Sequence, residues 1–183
     1  FLSLATNHRT DEYGGSIEKR AQIIFKILDA VKEILDSHRI AIKFTPVAIS
    51  HVGIMKPDVE TISLFQYILK RLNDYDLAYL HIVGPSEDLS GTPVEVLQDN
   101  YFSHFRNHYS GRLMANMGFS YDSGNAILNE GTADLVSFGI PFIANPDLID
   151  RFKYKLALAE PDRDKFYAGD DVGYTDYPQA INT

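Results

Sequence analysis

The stretch Ile40–Pro46, IAIKFTP, is a short apolar run that ends at a proline, and a helically periodic segment from about Asp58 to Asn73 follows it. Short apolar runs bounded by turn residues are typical of buried strands, whereas apolar residues spaced about three to four apart predict an amphipathic helix. This stretch therefore predicts a strand, a loop and a helix, in that order.

The same unit recurs along the rest of the chain. Further strands are predicted at LAYLHIV, RLMAN and DLVSFG, which are Leu77–Val83, Arg112–Asn116 and Asp134–Gly139. Helices are predicted from Val94 to Arg106 and over SGNAILNEG, which ends at Gly131, a residue suited to the position after a helix. Four strands that alternate with helices indicate parallel β/α units with right-handed crossovers.

The N-terminal region predicts one more helix, near residues 16 to 37, in which Ser16 caps the first turn and Glu18 lies within it. The opening FLSLATNHRTDEYGGS starts at Phe1 and is typical of the interior of a protein, so we expect further sequence upstream. The residues from 1 to 183 are expected to form a single domain. Neither a GxGxxG nor a GxxxxGK[ST] pattern follows a strand, which weakens the nucleotide-binding alternatives within the α/β class.

The amino-acid composition argues against several classes of function. With 17 basic and 25 acidic residues the net charge is -8, which opposes binding to nucleic acid or anionic lipid. No apolar run approaches the roughly 20 residues that span a bilayer, and a cytoplasmic location is expected. The chain has no cysteine, so disulfides and thiolate chemistry are excluded and any redox chemistry requires a cofactor.

Ligands of β/α folds bind at the C-terminal ends of the strands, which directs attention to the residues that follow each strand. Asn116–Phe119 follows the third strand, Gly139 and Ile140 follow the fourth, and a helix is predicted to open at NPDL, Asn145–Leu148. Glycine turns beside a helix start favour an anion site. The alternative is that Gly118 and Gly139 only make tight β/α turns, and spacing does not separate the two.

Three polar residues lie where a functional role is conceivable. Lys43 falls within an apolar strand, where a buried charge needs a counter-charge or a ligand unless the side chain extends to solvent. His81 is interpreted as a hydrogen-bonded core histidine in preference to a ligand. Tyr174, in a segment near the C-terminus, either directs its hydroxyl into a pocket or simply packs.

Two other polar groups are interpreted as ordinary surface features. His104 and His108 stand four residues apart, but no third ligand is evident, so a solvated pair is preferred and no metal is assigned. Asp11 and Glu12 adjoin Arg9, and local ion pairing explains them more simply than acid/base catalysis.

Four segments resemble the Old Yellow Enzyme family and occur in the family's order from the first residue to about Pro178. They are RTDEYGGS, KFTP, FGIPFIANPDL and GYTDYP, at Arg9–Ser16, Lys43–Pro46, Phe138–Leu148 and Gly173–Pro178. The resemblance implies an FMN-dependent (β/α)8 TIM barrel, a flavoprotein ene-reductase that takes hydride from NADPH or NADH and reduces activated alkenes such as enones or maleimides. This chain would be its C-terminal half, a half-barrel of strands 5 to 8.

The resemblance also implies site residues. Lys43 occupies a position where the family usually has an arginine facing N1 and O2 of the flavin. Met117 and Gly118 match the first phosphate loop, which usually begins with glycine. Gly139 and Ile140 match the second, where arginine usually follows glycine. Tyr174 matches a tyrosine that lines the active site.

No catalytic residue is expected within this chain, because the family's His/Asn or His/His substrate clamp and its tyrosine proton donor lie upstream of Phe1. Four strands without closure expose two edges, so we expect a missing partner. The alternatives are the N-terminal half-barrel, a second copy of this half-barrel, or no separate partner if the sequence is a fragment. The alternative is a non-catalytic remnant or assembly module whose flavin site has decayed, as Met117 and Ile140 suggest. A generic phosphate-sugar binding domain is a third hypothesis.

Overall fold

The computed structural model describes residues 1–47, 57–167 and 170–180. The chain divides into two compact units, Phe1–Val136 and Ser137–Thr183. The expectation of one domain over the whole chain stays a prediction, and each unit is described by itself.

The first unit is built on a parallel sheet. Strands β1 (Ala41–Phe44), β2 (Tyr79–Val83), β3 (Leu113–Asn116) and β4 (Leu135–Ser137) form one sheet in the order β1-β2-β3-β4, and the last residue of β4 belongs to the second unit. Strands β1 and β2, and likewise β2 and β3, pair in parallel. The predicted strand order along the chain and the α/β class are confirmed, although each strand is shorter than its apolar run.

Among the described residues of this unit, four helices accompany these strands: α1 (Ile17–Lys32), α2 (Thr61–Leu72), α3 (Tyr101–Arg106) and α4 (Tyr121–Asn129). The predicted cap of α1 is confirmed, since the Ser16 side chain accepts a hydrogen bond from the Lys19 amide. Gly131, with φ 72, follows α4 as predicted, but α4 begins before the predicted segment because Ser120 and Ser123 form a capping box.

Two predicted helices are longer than the observed ones. Helix α1 ends at Lys32, before the predicted limit near residue 37, and a separate 3-10 turn covers Ser37–Arg39. The helix predicted from Val94 to Arg106 is a 3-10 turn at Glu95–Leu97 followed by α3. Its apolar period persists across the break, because Leu97, Tyr101 and Phe105 are all buried four residues apart.

Helices cover one face of the sheet. Strand residues Phe44, Leu80, Ile82, Leu113 and Ala115 are buried and share one core with the buried side chains of α1, α2 and α3. The Phe44 and Phe65 rings meet edge to face with centroids 5.6 Å apart. The alternate strand residues lie on the opposite face, which we call the open face; Lys43, His81, Met114 and Asn116 belong to it and none is buried.

One buried arginine fastens the N-terminal segment to this core. Arg20, 1% exposed, donates from Nε to the Leu2 carbonyl at 2.8 Å and also to the Gly15 carbonyl. Its Nη2 bonds Glu60 Oε2 at 2.6 Å, so α1 is joined to the start of α2. Three acceptors compensate the desolvation of the guanidinium, as a buried charge requires.

The second unit contains α5 (Ile140–Ala144) and α6 (Leu148–Tyr154). Helix α6 confirms the helix predicted at NPDL, whereas α5 was not predicted. Asn145, fully buried between the two helices, donates to the carbonyls of Pro141 and Ala159 at 2.9 and 3.1 Å and accepts from the Ala159 amide at 2.7 Å. The side-chain amide of Asn145 therefore provides hydrogen bonds to backbone groups in a region that has no regular strand pairing.

We expect Arg20→Met to destabilise the chain by about 2 to 4 kcal/mol, because it leaves the Leu2 and Gly15 carbonyls without their donor while roughly conserving volume. Urea unfolding followed by circular dichroism measures the effect. Lys19→Met, at an exposed position one residue away, is the matched control and should change stability by less than about 0.5 kcal/mol. Equal effects of the two substitutions would contradict the structural role given to Arg20.

Candidate functional site

The open face of the sheet brings one charged and one titratable side chain together. In the strand register Lys43 is paired with His81, and His81 with Met114, so the three form a row across β1, β2 and β3. Neighbouring strands lie about 4.8 Å apart, which makes residues of one row direct neighbours. Within this row Lys43 lies one residue before the C-terminal end of β1, the end at which β/α folds place their ligands.

Lys43 is exposed, which favours the alternative of a side chain that extends to solvent over that of a buried charge. The reason is the alternation of the strand: Phe44, the last residue of β1, takes the core face, so its neighbour Lys43 takes the opposite face. The side-chain cation stands on the open face, as the alternative reading of a solvent-reaching lysine allowed. Its assignment to a flavin stays a prediction.

His81 is half-buried on the open face and is not a core histidine, which corrects the preferred interpretation. Partial burial lowers its pKa from the ordinary value, and the positive charge of Lys43 lowers it further. Both effects oppose protonation, because burial disfavours the imidazolium and a neighbouring cation repels it. The row therefore carries one positive charge at neutral pH rather than two.

The loop after β3 has an unusual backbone. Met117 has φ 121 and Gly118 has φ 68, two successive residues in the region that favours glycine. A Cβ on Gly118 would meet no atom within 4 Å, so glycine is required there by its φ angle and not by lack of space. At Met117 a bulky residue adopts a conformation that is a genuine outlier for its type.

This loop lies beside the end of β2. The Gly84 amide donates to the Asn116 carbonyl at 2.8 Å, and a Cβ on Gly84 would lie 2.9 Å from Phe102 and 3.3 Å from the Met117 Cβ. Gly84 therefore permits the close approach of the two strand ends.

The second unit has a pocket of its own, with a volume of about 400 Å³. Its lining consists of residues after β4 together with residues near the C-terminus: Phe138, Gly139, Phe142, Ile143, Pro146, Tyr174, Thr175 and Tyr177. Aromatic walls and a few hydroxyl groups are typical of pockets that accept planar organic molecules. Of the residues proposed from sequence, Gly139 and Tyr174 line this pocket.

Gly139 and Ile140 begin α5. Gly139 has φ −103, and a Cβ there would meet no atom within 4 Å, so neither the backbone angle nor its present neighbours require glycine. Ile140 is 41% exposed and directs no charge to this turn. Phe142 and Ile143 were not identified from sequence because α5 was missed; the proline that follows Gly139-Ile140, in the first turn, was the available signal.

The other polar groups take local partners. The rings of His104 and His108 lie 5.1 Å apart between centroids, and His104 Nε2 is 3.3 Å from Gln66 Nε2. Burial, and then the neighbouring His108, lowers the pKa of His104. No cluster of three or more His, Asp or Glu side chains suited to a metal ion occurs among the described residues.

The local ion pair predicted beside Arg9 is confirmed for Asp11, whereas Glu12 pairs with the more distant Lys26. Arg9 Nε donates to Asp11 Oδ1 at 2.9 Å, and Lys26 Nζ lies 3.2 Å from Glu12 Oε2. These pairs are exposed and contribute little to stability. Across the parts of the chain that the structure covers, every helix is too short or too polar to cross a membrane.

Comparisons with known proteins agree with this architecture. The model of the NADH:flavin oxidoreductase / NADH oxidase family matches residues 1–159. The 12-oxophytodienoate reductase 1 of Oryza sativa subsp. japonica is 35% identical over 181 residues, which cover 97% of this chain and 46% of that protein. The chain thus spans about half the length of the curated relatives it matches.

Solved structures resemble the chain over the same extent. Morphinone reductase in complex with tetrahydroNAD superposes with a TM-score of 0.83 at 38% identity, covering 99% of this chain and 47% of that one. The old yellow enzyme from Trypanosoma cruzi gives a TM-score of 0.85 at 28% identity, covering 98% and 46%. The predicted TIM-barrel fold class is confirmed as a partial barrel.

We expect Met117→Gly to stabilise the chain by about 1 kcal/mol, because relief of the positive φ outweighs the added freedom of the unfolded chain. Met114→Gly is the matched control: it removes the same side chain from β3 at a position outside the positive-φ region, and it should destabilise. Urea unfolding measures the free energy of unfolding of both variants. Destabilisation by both substitutions would show that the backbone at Met117 is not strained.

Proposed function

The chain belongs to the NADH:flavin oxidoreductase / NADH oxidase family, and from this we propose that it supplies part of the FMN site of an NAD(P)H-dependent oxidoreductase. Activated alkenes such as enones or maleimides are the proposed substrate class. The observation that carries the proposal is the exposed cation of Lys43 on the open face, near the C-terminal ends of parallel strands. Bound FMN would supply the hydride chemistry.

In the first unit, Lys43 would hold the flavin ring. The proposed contact is with the N1 and O2 region, where negative charge collects on reduction and a fixed positive charge stabilises it. Because the pKa of His81 is lowered, the imidazole beside Lys43 stays neutral and does not compete for that charge. A lysine offers a point charge where an arginine would offer a planar fork, so orientation of the ring would depend more on its other contacts.

The loop after β3 would contribute backbone groups. Successive positive φ angles at Met117 and Gly118 turn the main chain sharply, and curved main chain of this kind exposes amide donors to anions. With no atom near the hypothetical Cβ of Gly118, this turn leaves room for a group to approach its backbone. We propose contact of this loop with the FMN phosphate.

In the second unit, Gly139 and Ile140 would meet the phosphate and Tyr174 would line the pocket. The space around Gly139 fits a ligand that approaches the backbone. The aromatic lining of the pocket fits a planar ring or an enone. Ile140 fits less well, since an aliphatic side chain adds no charge-assisted bond to phosphate.

We propose that catalysis requires a proton donor from outside this chain, as the family resemblance implies. A complement would provide it. Strand β1 stands at one end of the sheet order and so presents an edge. Ile27 in α1 and Ile34 just after it are 55% and 84% exposed and add apolar surface to the first unit. We propose the N-terminal half-barrel as the complement, with self-association of this chain as the other arrangement.

One observation favours a second candidate function, a non-catalytic assembly module. Met117 and Ile140 both stand where the resemblance implies residues better suited to phosphate. In that case the chain would associate through its edges and would not retain flavin. Absorbance of the purified chain near 450 nm, before and after addition of FMN and removal of the excess, separates the two functions.

We expect Lys43→Met to weaken FMN binding by about ten- to a hundredfold, the equivalent of one charge-assisted contact, and Lys43→Arg to restore it. Titration of FMN fluorescence measures the affinity. A second result is independent of FMN: loss of the Lys43 charge should raise the pKa of His81, as an NMR titration of the imidazoles would show, whereas Lys43→Arg should leave it low. Lys70→Met, at an exposed position of α2, is the control for both measurements. An unchanged His81 pKa in Lys43→Met would contradict the assigned row.

We expect Ile140→Arg to tighten FMN binding by about ten- to a hundredfold, because it adds a charge-assisted phosphate contact at an exposed position. Ile149→Arg, 64% exposed on α6, adds the same charge elsewhere in the second unit and serves as the control. If both variants tighten binding equally, the gain is a general charge effect and residue 140 is not beside the phosphate.

A further inference from the structure

The C-terminal segment of the second unit, residues 174–180, is irregular, yet it carries three residues of the pocket: Tyr174, Thr175 and Tyr177. Irregular segments hold their side chains in place only where specific bonds fix the backbone. The fixed points of this segment therefore decide the shape of the pocket.

Two of these fixed points come from one ion pair on α6. Asp147, the cap of the helix, and Arg151, one turn later, are each 7% exposed, with Arg151 Nε 2.7 Å from Asp147 Oδ1. Arg151 Nη2 donates to the Pro178 carbonyl at 3.0 Å, and Asp147 Oδ2 accepts from the Ala180 amide at 2.7 Å. Each partner of the pair thus bonds a different residue of the segment.

The same arginine also reaches a third stretch of chain. Arg151 Nη1 donates to the Ala157 carbonyl at 2.7 Å. Its guanidinium therefore joins the helix, the turn that follows it and the C-terminal segment through three separate nitrogens. Only arginine provides several donors in such a rigid fork; a lysine ammonium in the same place would be a single centre.

We propose that Arg151 and Asp147 are positioning residues that hold the C-terminal segment against α6 and thereby keep Tyr174 over the pocket. A buried ion pair is weak evidence for net stability, because desolvation offsets the attraction of the charges, but it does select one arrangement of the groups bonded to it. The effect on ligand binding rests on the proposed function of the pocket, whereas the effect on the segment does not.

The chain contains no tryptophan, so Tyr174→Trp places its single tryptophan on the segment, where it can be excited selectively over the tyrosines. Tyr174 suits the substitution because it is 51% exposed, whereas the Tyr177 hydroxyl already accepts a bond from the Asp162 amide at 2.8 Å. In this background Arg151→Met removes the three donated bonds. We expect acrylamide to quench the tryptophan about twofold more efficiently once the segment is released.

Matched variants keep the test decisive. Lys153→Met, at an exposed position of the same helix, removes a positive charge without touching the segment and should leave quenching unchanged. Asp147→Asn keeps one oxygen that can accept from Arg151 but loses the second oxygen, which accepts from the Ala180 amide, so it should increase quenching by an intermediate amount. Arg151→Lys should also have an intermediate effect. If circular dichroism shows that Arg151→Met impairs folding, the test relies on the two milder variants, Asp147→Asn and Arg151→Lys. Quenching equal to that of Lys153→Met in all three would overturn the proposal.

The proposed function is tested separately, by titrating FMN into the same Arg151, Asp147 and Lys153 variants made in the chain that keeps its natural Tyr174. Weaker FMN binding in Arg151→Met together with increased quenching supports both the positioning role and the flavin pocket. Failure of every variant and of the parent chain to bind FMN would count against the proposed function, while increased quenching would still support the positioning role.

Discussion

The alternation of side chains along a strand, combined with helices that cover one face of the sheet, is the constraint on which the first unit depends. Burial of Leu80, Ile82, Leu113 and Ala115 against the helices fixes the phase of β2 and β3. Since the period is two residues, a slip of one would expose that set and bury its neighbours. The alternate residues of the strands, Lys43 and His81 among them, are thereby placed on the open face, where they are available for function.

This constraint explains which parts of the fold could be predicted. Each strand is an apolar run bounded by turn residues, and each major helix has an apolar period, so element types and their order followed from local sequence. The phase of β1, meaning which of its residues face the core, could not be predicted. Ala41, Ile42 and Phe44 place apolar side chains on both faces of the strand, so only packing decides which face is buried. The sequence therefore left open whether Lys43 is buried or extends to solvent. Helix α5, at five residues, is too short for its period to be recognised.

The second unit was less predictable because polar side chains organise much of it. Asn145 bonds Ala159, fourteen residues away, and Arg151 bonds Pro178, twenty-seven residues away. Sequence patterns record which residues are polar, but not which distant backbone groups satisfy them. The aromatic pocket depends on those partners, so Tyr174 was found through family resemblance while Phe142 and the Asp147–Arg151 pair were found only in the structure.

The charge on the open face also bears on the choice between a ligand site and an assembly surface. Whatever covers this face must desolvate the Lys43 ammonium, and an unpaired buried cation costs several kcal/mol. An apolar protein surface offers no compensation, whereas an anionic ring or phosphate does. The lowered pKa of His81 adds to the argument, since a neutral imidazole beside the cation reduces the charge to be compensated to a single unit. Under the proposed function, the ring of a reduced flavin would supply negative charge suited to that task, which an apolar structural partner would not. Ile140, by contrast, lacks the charge that a strong phosphate site would have.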